Sequence, residues 1–154
     1  METLLQTEVV HVACYGDLFF VLWKQKATGD DYRRVHAQKR VVRARLGNKP
    51  MASMTVVRGS SVAKPTAELQ SAINEHAAES RGWLKADALV IDAQGFSAAL
   101  MRSIIAGVMI VKGLDHPHKV FSNVAAACEW TAPHVRGPSG AAVTPDELLK
   151  ALSL

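Results

Sequence analysis

This chain of 154 residues lacks several features that would narrow its function at once. No apolar run reaches the roughly 18 to 20 residues that a membrane-spanning helix requires. The longest candidate, Ile104 to Val111, stops at Lys112. The stretch beginning Met1-Glu2-Thr3 has no basic segment followed by an apolar one, so no secretory signal is read there, and the expected compartment is the cytoplasm. Cysteine is scarce: Cys14 and Cys128 lie far apart, without the spacing of a metal knuckle or a disulfide framework. Two reduced, buried thiols are the expectation. Aromatic residues make up only 6% of the chain. The Walker pattern is missing around Gly59-Ser60-Ser61, which reads as an ordinary loop, and no Gly-x-Ser-x-Gly elbow presents a nucleophile. Paired carboxylates on one face are not evident, so an enzymatic reading has no positive support.

What is present is an ordinary globular composition, 49% hydrophobic and 21% charged, with enough length for one domain and a substantial core. The net charge of +4 is unevenly placed: Lys24 to Lys49 carries nine Lys and Arg against two Asp, and the remainder is slightly acidic.

Apolar alternation predicts a strand over Glu8–Tyr15 and a second over Leu18–Trp23, joined by Gly16-Asp17 as an antiparallel hairpin. Thr28 to Asp31 provides a helix start. The helix that follows places Tyr32, Val35, Val42 and Leu46 on one face and Arg33, His36, Arg40 and Arg43 on another, ending at Gly47-Asn48. A third strand is expected over Met51–Val57, followed by the loop Arg58–Lys64. A second helix opens at Pro65-Thr66, with Leu69, Ile73 and His76 or Ala77 at inward spacing. Ala88–Ile91 reads as a buried strand, Ser97–Lys112 as a helix apolar almost all round, His118–Phe121 as a fifth strand and Val124–Trp130 as a fourth helix. Residues 1–134 are expected to form the domain, and 135–154 a linker with a terminal amphipathic helix begun by Thr144-Pro145. The fold class is α/β, a mixed, mostly parallel five-stranded sheet in β-β-α-β-α-β-α-β-α order plus the C-terminal helix.

Leu89-Val90-Ile91-Asp92, then Gly95-Phe96, then an apolar helix make the chain resemble the STAS domain of bacterial anti-sigma-factor antagonists. It is also similar to a STAS-like group of uncharacterised bacterial proteins. The resemblance spans about Glu8 to Trp130 and rests mostly on element order. It implies a non-catalytic signalling module that binds a protein partner through the turn and helix after the fourth strand. The family's Asp-Ser-Ser-Gly motif falls on Leu100-Met101-Arg102-Ser103, so the phosphoacceptor serine is replaced by Arg102 or displaced to Ser103. A fixed positive charge stands where a phosphoserine would add negative charge, which puts the phosphorylation switch in doubt.

The partner-binding face is accordingly placed on Gly95, Phe96, Ser97, Arg102 and Ser103, with Arg58, Ser60 and Ser61 on the neighbouring loop, because both loops follow the carboxyl ends of strands. Ser97 is read first as a helix cap and second as part of an anion site. Arg102 either faces solvent for recognition or pairs with an acid such as Asp92; both remain open. The basic patch of Arg33, Arg40 and Arg43 reads as a solvated face, ahead of a nucleic-acid or lipid contact. His116 and His118, beside Asp115, fall short of the ligand count of a metal site, and the other histidines are scattered, so no metal and no cofactor is expected. A homodimer through the Leu-rich tail is left open. The alternative function is a carrier or sensor for a lipid or other small molecule, suggested by the apolar Ser97–Lys112 helix.

Overall fold

A computed structural model describes residues 1–59, 66–92 and 115–152. They form a mixed α/β fold. The strands are β1 (Glu2–Gln6), β2 (Val10–Tyr15), β3 (Leu18–Trp23), β4 (Met51–Arg58), β5 (Leu84–Asp92) and β6 (His118–Phe121). The described helices are α1 (Gly29–Arg45), α2 (Ala67–Glu79), α3 (Val124–Thr131) and α4 (Pro145–Leu152). The Ser97–Lys112 helix expected from the sequence lies outside the described residues. Among those residues, no helix is long and apolar enough to cross a membrane.

The strands lie in sequence order, β1-β2-β3-β4-β5-β6. The first three pair antiparallel, and β3 through β6 pair parallel. The α/β class holds, but two details are corrected. Among the described residues the sheet has six strands, not five, and its parallel pairs are three against two antiparallel. The added strand is β1, which pairs with β2 at the sheet edge and carries a register shift between Thr3 and Leu5. Its residues are exposed or half-buried, so the strong apolar alternation that marks an interior strand is missing.

Every residue of β3 is buried, which forces cover on both faces of the sheet. Phe19, Val21 and Trp23 pack on one face with Val10 and Val12 of β2, Val35 and Val42 of α1, and Trp83. Leu18, Phe20 and Leu22 face the other way, with Met54, Val56, Val90, Phe121 and the α3 residues Ala127 and Cys128. Helix α1 begins with a reciprocal cap: the Thr28 hydroxyl accepts from the Asp31 N–H, and the Asp31 carboxylate accepts from the Thr28 N–H.

The segment after α3 joins this second layer. Val135, Val143, Leu148 and Leu152 are core residues, so the apolar side of α4 is used within the chain. Leu149, on the other side of that helix, is exposed. Asp17, in the β2–β3 turn, holds the approach: its carboxylate accepts the Arg136 N–H at 2.7 Å and pairs with Lys85. At Gly16, where φ is +58°, a Cβ would collide with the Arg136 carbonyl, so only glycine lets the two backbones meet.

Leu148→Ala should therefore destabilise the chain by about 3 kcal/mol in denaturant unfolding, as a buried cavity mutation, while Leu149→Ala should stay within about 0.5 kcal/mol.

Candidate functional site

The recognition face expected from the sequence can be placed only in part. Gly95, Phe96, Ser97, Arg102, Ser103, Ser60 and Ser61 lie outside the described residues. Arg58 closes β4 and is exposed. It pairs in register with Asp92, the last residue of β5, so the carboxyl ends of the two strands lie side by side.

The basic patch resolves into tethers. Arg33 pairs with Asp30 at 2.8 Å and lies 3.6 Å from Glu68. Arg40 grips Glu79 with Nε and Nη2, each at 2.7 Å. The Arg43 guanidinium lies 4.5 Å above the Trp83 ring. These cations fasten α1 to α2 and to Trp83, just before β5. His36, grouped with them by spacing, is instead buried between α1 and α2.

Two polar clusters lie beneath and beside α1. The first runs across the sheet. Phe19, Ser53, Asp87 and His118 stand in register on neighbouring strands, so their side chains point to one face. His118 Nδ1 lies 2.8 Å from Asp87 Oδ2, and the Ser53 hydroxyl is bonded to the same carboxylate. Burial pushes the Asp87 pKa up, but the His118 bond and charge, Lys39 and Ser53 outweigh it and hold the group below the ordinary range. Burial pushes the Lys39 ammonium down, against the pull of Asp87. Burial, with the Asp87 charge second, drives the Tyr32 phenol up to about 12. His116 and His118, two residues apart in sequence, are split: His116 turns to Asp115 at 2.7 Å.

The second cluster brings together histidines that sequence spacing left scattered. His36 of α1 and His76 of α2 stack with ring centres 3.7 Å apart and planes within 9°. Trp83 stacks on His36 at 5.4 Å, and Tyr32 on His76 at 5.5 Å. His36 Nε2 lies 3.0 Å from the Ser80 hydroxyl. Glu79 Oε2 lies 3.6 Å from His36 Nδ1 and 4.0 Å from His76 Nδ1, beyond hydrogen-bond range. His36 Nδ1 and both nitrogens of His76 are buried without a hydrogen-bond partner. Burial, and then the charge of His76, takes the His36 pKa down to about 4 against the opposing pull of Glu79. Burial also lowers that of His76. Both rings are therefore neutral near pH 7.

The thiols offer no reactive centre. Cys128 is buried, with its pKa pushed up to about 11 by that burial. Cys14 is half-buried rather than fully buried, and its pKa is raised by burial and by Glu2. Comparison of the chain with known protein families, with curated proteins and with solved structures gives no match.

The His36 environment sets a pH dependence. In the unfolded chain the imidazole takes a proton near pH 6.5, whereas in the folded chain it resists until about pH 4. Its stabilising contribution is whole above about pH 6.5 and declines as pH falls toward 4. Thermal unfolding across that range should show a falling Tm, and His36→Phe, which keeps an aromatic ring in the stack, should flatten the fall. Separately, Asp87→Ala should cost about 3 kcal/mol in chemical denaturation at pH 7, because it leaves His118 without its partner and Lys39 without the nearby opposite charge.

Proposed function

We propose that this chain is a non-catalytic, STAS-like regulatory or scaffold module that binds a protein partner through the loops at the carboxyl ends of β4 and β5. The observation that carries the reading is the pairing of Arg58 with Asp92 at the end of a parallel strand pair. Open α/β sheets bind their ligands where loops leave the carboxyl ends of adjacent strands. In the sequence, Gly95, Phe96, Ser97, Arg102 and Ser103 follow β5, and Ser60 and Ser61 follow β4. Phe96 supplies an apolar anchor and Arg102 a charge for recognition, the residue types that concentrate binding energy at interfaces. The STAS-like part of the reading rests on element order, here with β3 through β6 parallel and helices on both sheet faces.

Two features of the described residues favour binding over catalysis. The thiols have raised pKa values, and the cations of α1 are tied to acids and to Trp83. The same tethers weigh against α1 as a nucleic-acid surface.

Affinity capture from a lysate of the source cell, compared between the native chain and Phe96→Glu and Arg102→Glu, tests the reading. A stoichiometric protein held by the native chain and lost from both variants, with unchanged far-UV circular dichroism, is expected. Undiminished capture by both variants removes the site assignment. A co-purifying lipid or metabolite without a protein partner makes the chain a carrier or sensor.

A further inference from the structure

Buried nitrogen atoms with no hydrogen-bond partner are uncommon, because each loses its contact with water without replacement. Three such atoms occur together at the α1–α2 contact: His36 Nδ1 and both ring nitrogens of His76. The His36 side chain is 4% exposed and that of His76 10%. Glu79 stands beside them, and one donor atom from each of these three residues falls within 4.8 Å of the others. We infer that His36, His76 and Glu79 form a binding site for a divalent transition-metal ion of the zinc class.

The donor set determines the class. Two imidazoles and one carboxylate match zinc, cobalt and nickel, whereas magnesium and calcium require oxygen ligands. Three protein ligands leave a fourth position for water or another donor. The surroundings orient the ligands. If His36 donates Nε2–H to the Ser80 hydroxyl, its Nδ1 lone pair is left for a metal, the arrangement by which a second hydrogen bond selects the ligating tautomer. Arg40 bonds once to each Glu79 oxygen, and a carboxylate oxygen has two lone pairs, so Oε2 keeps one for the cluster. Arg40 also sets Glu79 in place at the end of α2.

The donors are spread wider than in a closed coordination shell, where nitrogen and oxygen lie roughly 2.0 to 2.2 Å from zinc. The imidazoles lie face to face, while each lone pair lies in its own ring plane, so one ring must turn. His76 is the ring able to do so: neither of its nitrogens is hydrogen-bonded, whereas His36 is held by Ser80. Turning it exchanges a ring stack for a metal bond and leaves the α1 tether intact.

The test is a titration of the full reduced chain at pH 7.5 with Co2+, followed by its visible d–d absorption, and with Zn2+ by calorimetry. One equivalent per chain at micromolar affinity or tighter is expected, with an absorption intensity typical of a four- or five-coordinate site. Glu79→Gln and His76→Gln should each weaken binding by more than about tenfold, and His116→Gln should leave it unchanged. Glu79 is exposed, so its replacement spares the core and separates lost coordination from lost folding. No binding up to about 1 mM metal overturns the inference, as does an affinity undiminished by Glu79→Gln, which marks an adventitious site.

Discussion

Strand β3 imposes the constraint on which the rest of the structure depends. Leu-Phe-Phe-Val-Leu-Trp is buried along its whole length, three side chains to each face. Burial of a large apolar side chain is worth roughly 1.5 to 3 kcal/mol, so neither face can be left to water. Helix α1 covers one side. On the other, α3 and α4 provide the cover. The polypeptide beyond His134 is needed for this: Val143, Leu148 and Leu152 complete a layer to which α3 alone contributes mainly small residues. The Asp17 carboxylate and Gly16 secure that closure where the hairpin turn meets Arg136.

The two faces differ in chemistry. The α3–α4 side is mainly apolar, although α3 also buries Thr131. The α1 side carries Ser53, Asp87 and His118 across one row of the sheet, and His36 and His76 where α1 meets α2. The two polar groups solve their burial differently. Asp87 gathers donors and a nearby cation, so its charge is compensated where it sits. His36 and His76 are compensated by remaining neutral and by stacking between Tyr32 and Trp83. Their nitrogen lone pairs are left without donors, which is the feature that a bound metal would complete. The arginines of α1 sit outside this layer as clamps, and Arg40 links it to the surface through Glu79.

Much of the fold was legible because its elements carry local signals. Leu18–Trp23 and His118–Phe121 coincide with the strands read from apolar content, and α1 begins where Thr28 and Asp31 allow a reciprocal cap. Strand β1 gives no such signal, because an edge strand whose residues are exposed or only half-buried imposes no strong apolar alternation. Strand β5 was read short: it starts at Leu84, not Ala88, because Lys85 and Asp87 break the apolar run, and both are held by partners elsewhere in the chain. The histidine cluster was legible only in fragments. His76 falls at inward spacing with Leu69 and Ile73, but His36 shares its spacing with Arg33, Arg40 and Arg43 and so looked solvated. Their meeting is a consequence of α1 packing on α2, forty residues away in sequence, and no local pattern encodes it.

The central claim about this layer is that α1 and α2 enclose two neutral imidazoles against Glu79. Side-chain nitrogen NMR across a pH titration, with His36 and His76 assigned from single substitutions, measures it directly. The account predicts that His36 stays neutral through pH 6, that His76 titrates below the value of a free imidazole, and that His36 carries its proton on Nε2, toward Ser80. Protonation of both near pH 6.5, the value of an imidazole in water, would contradict the enclosed cluster and the packing of α1 on α2 that creates it.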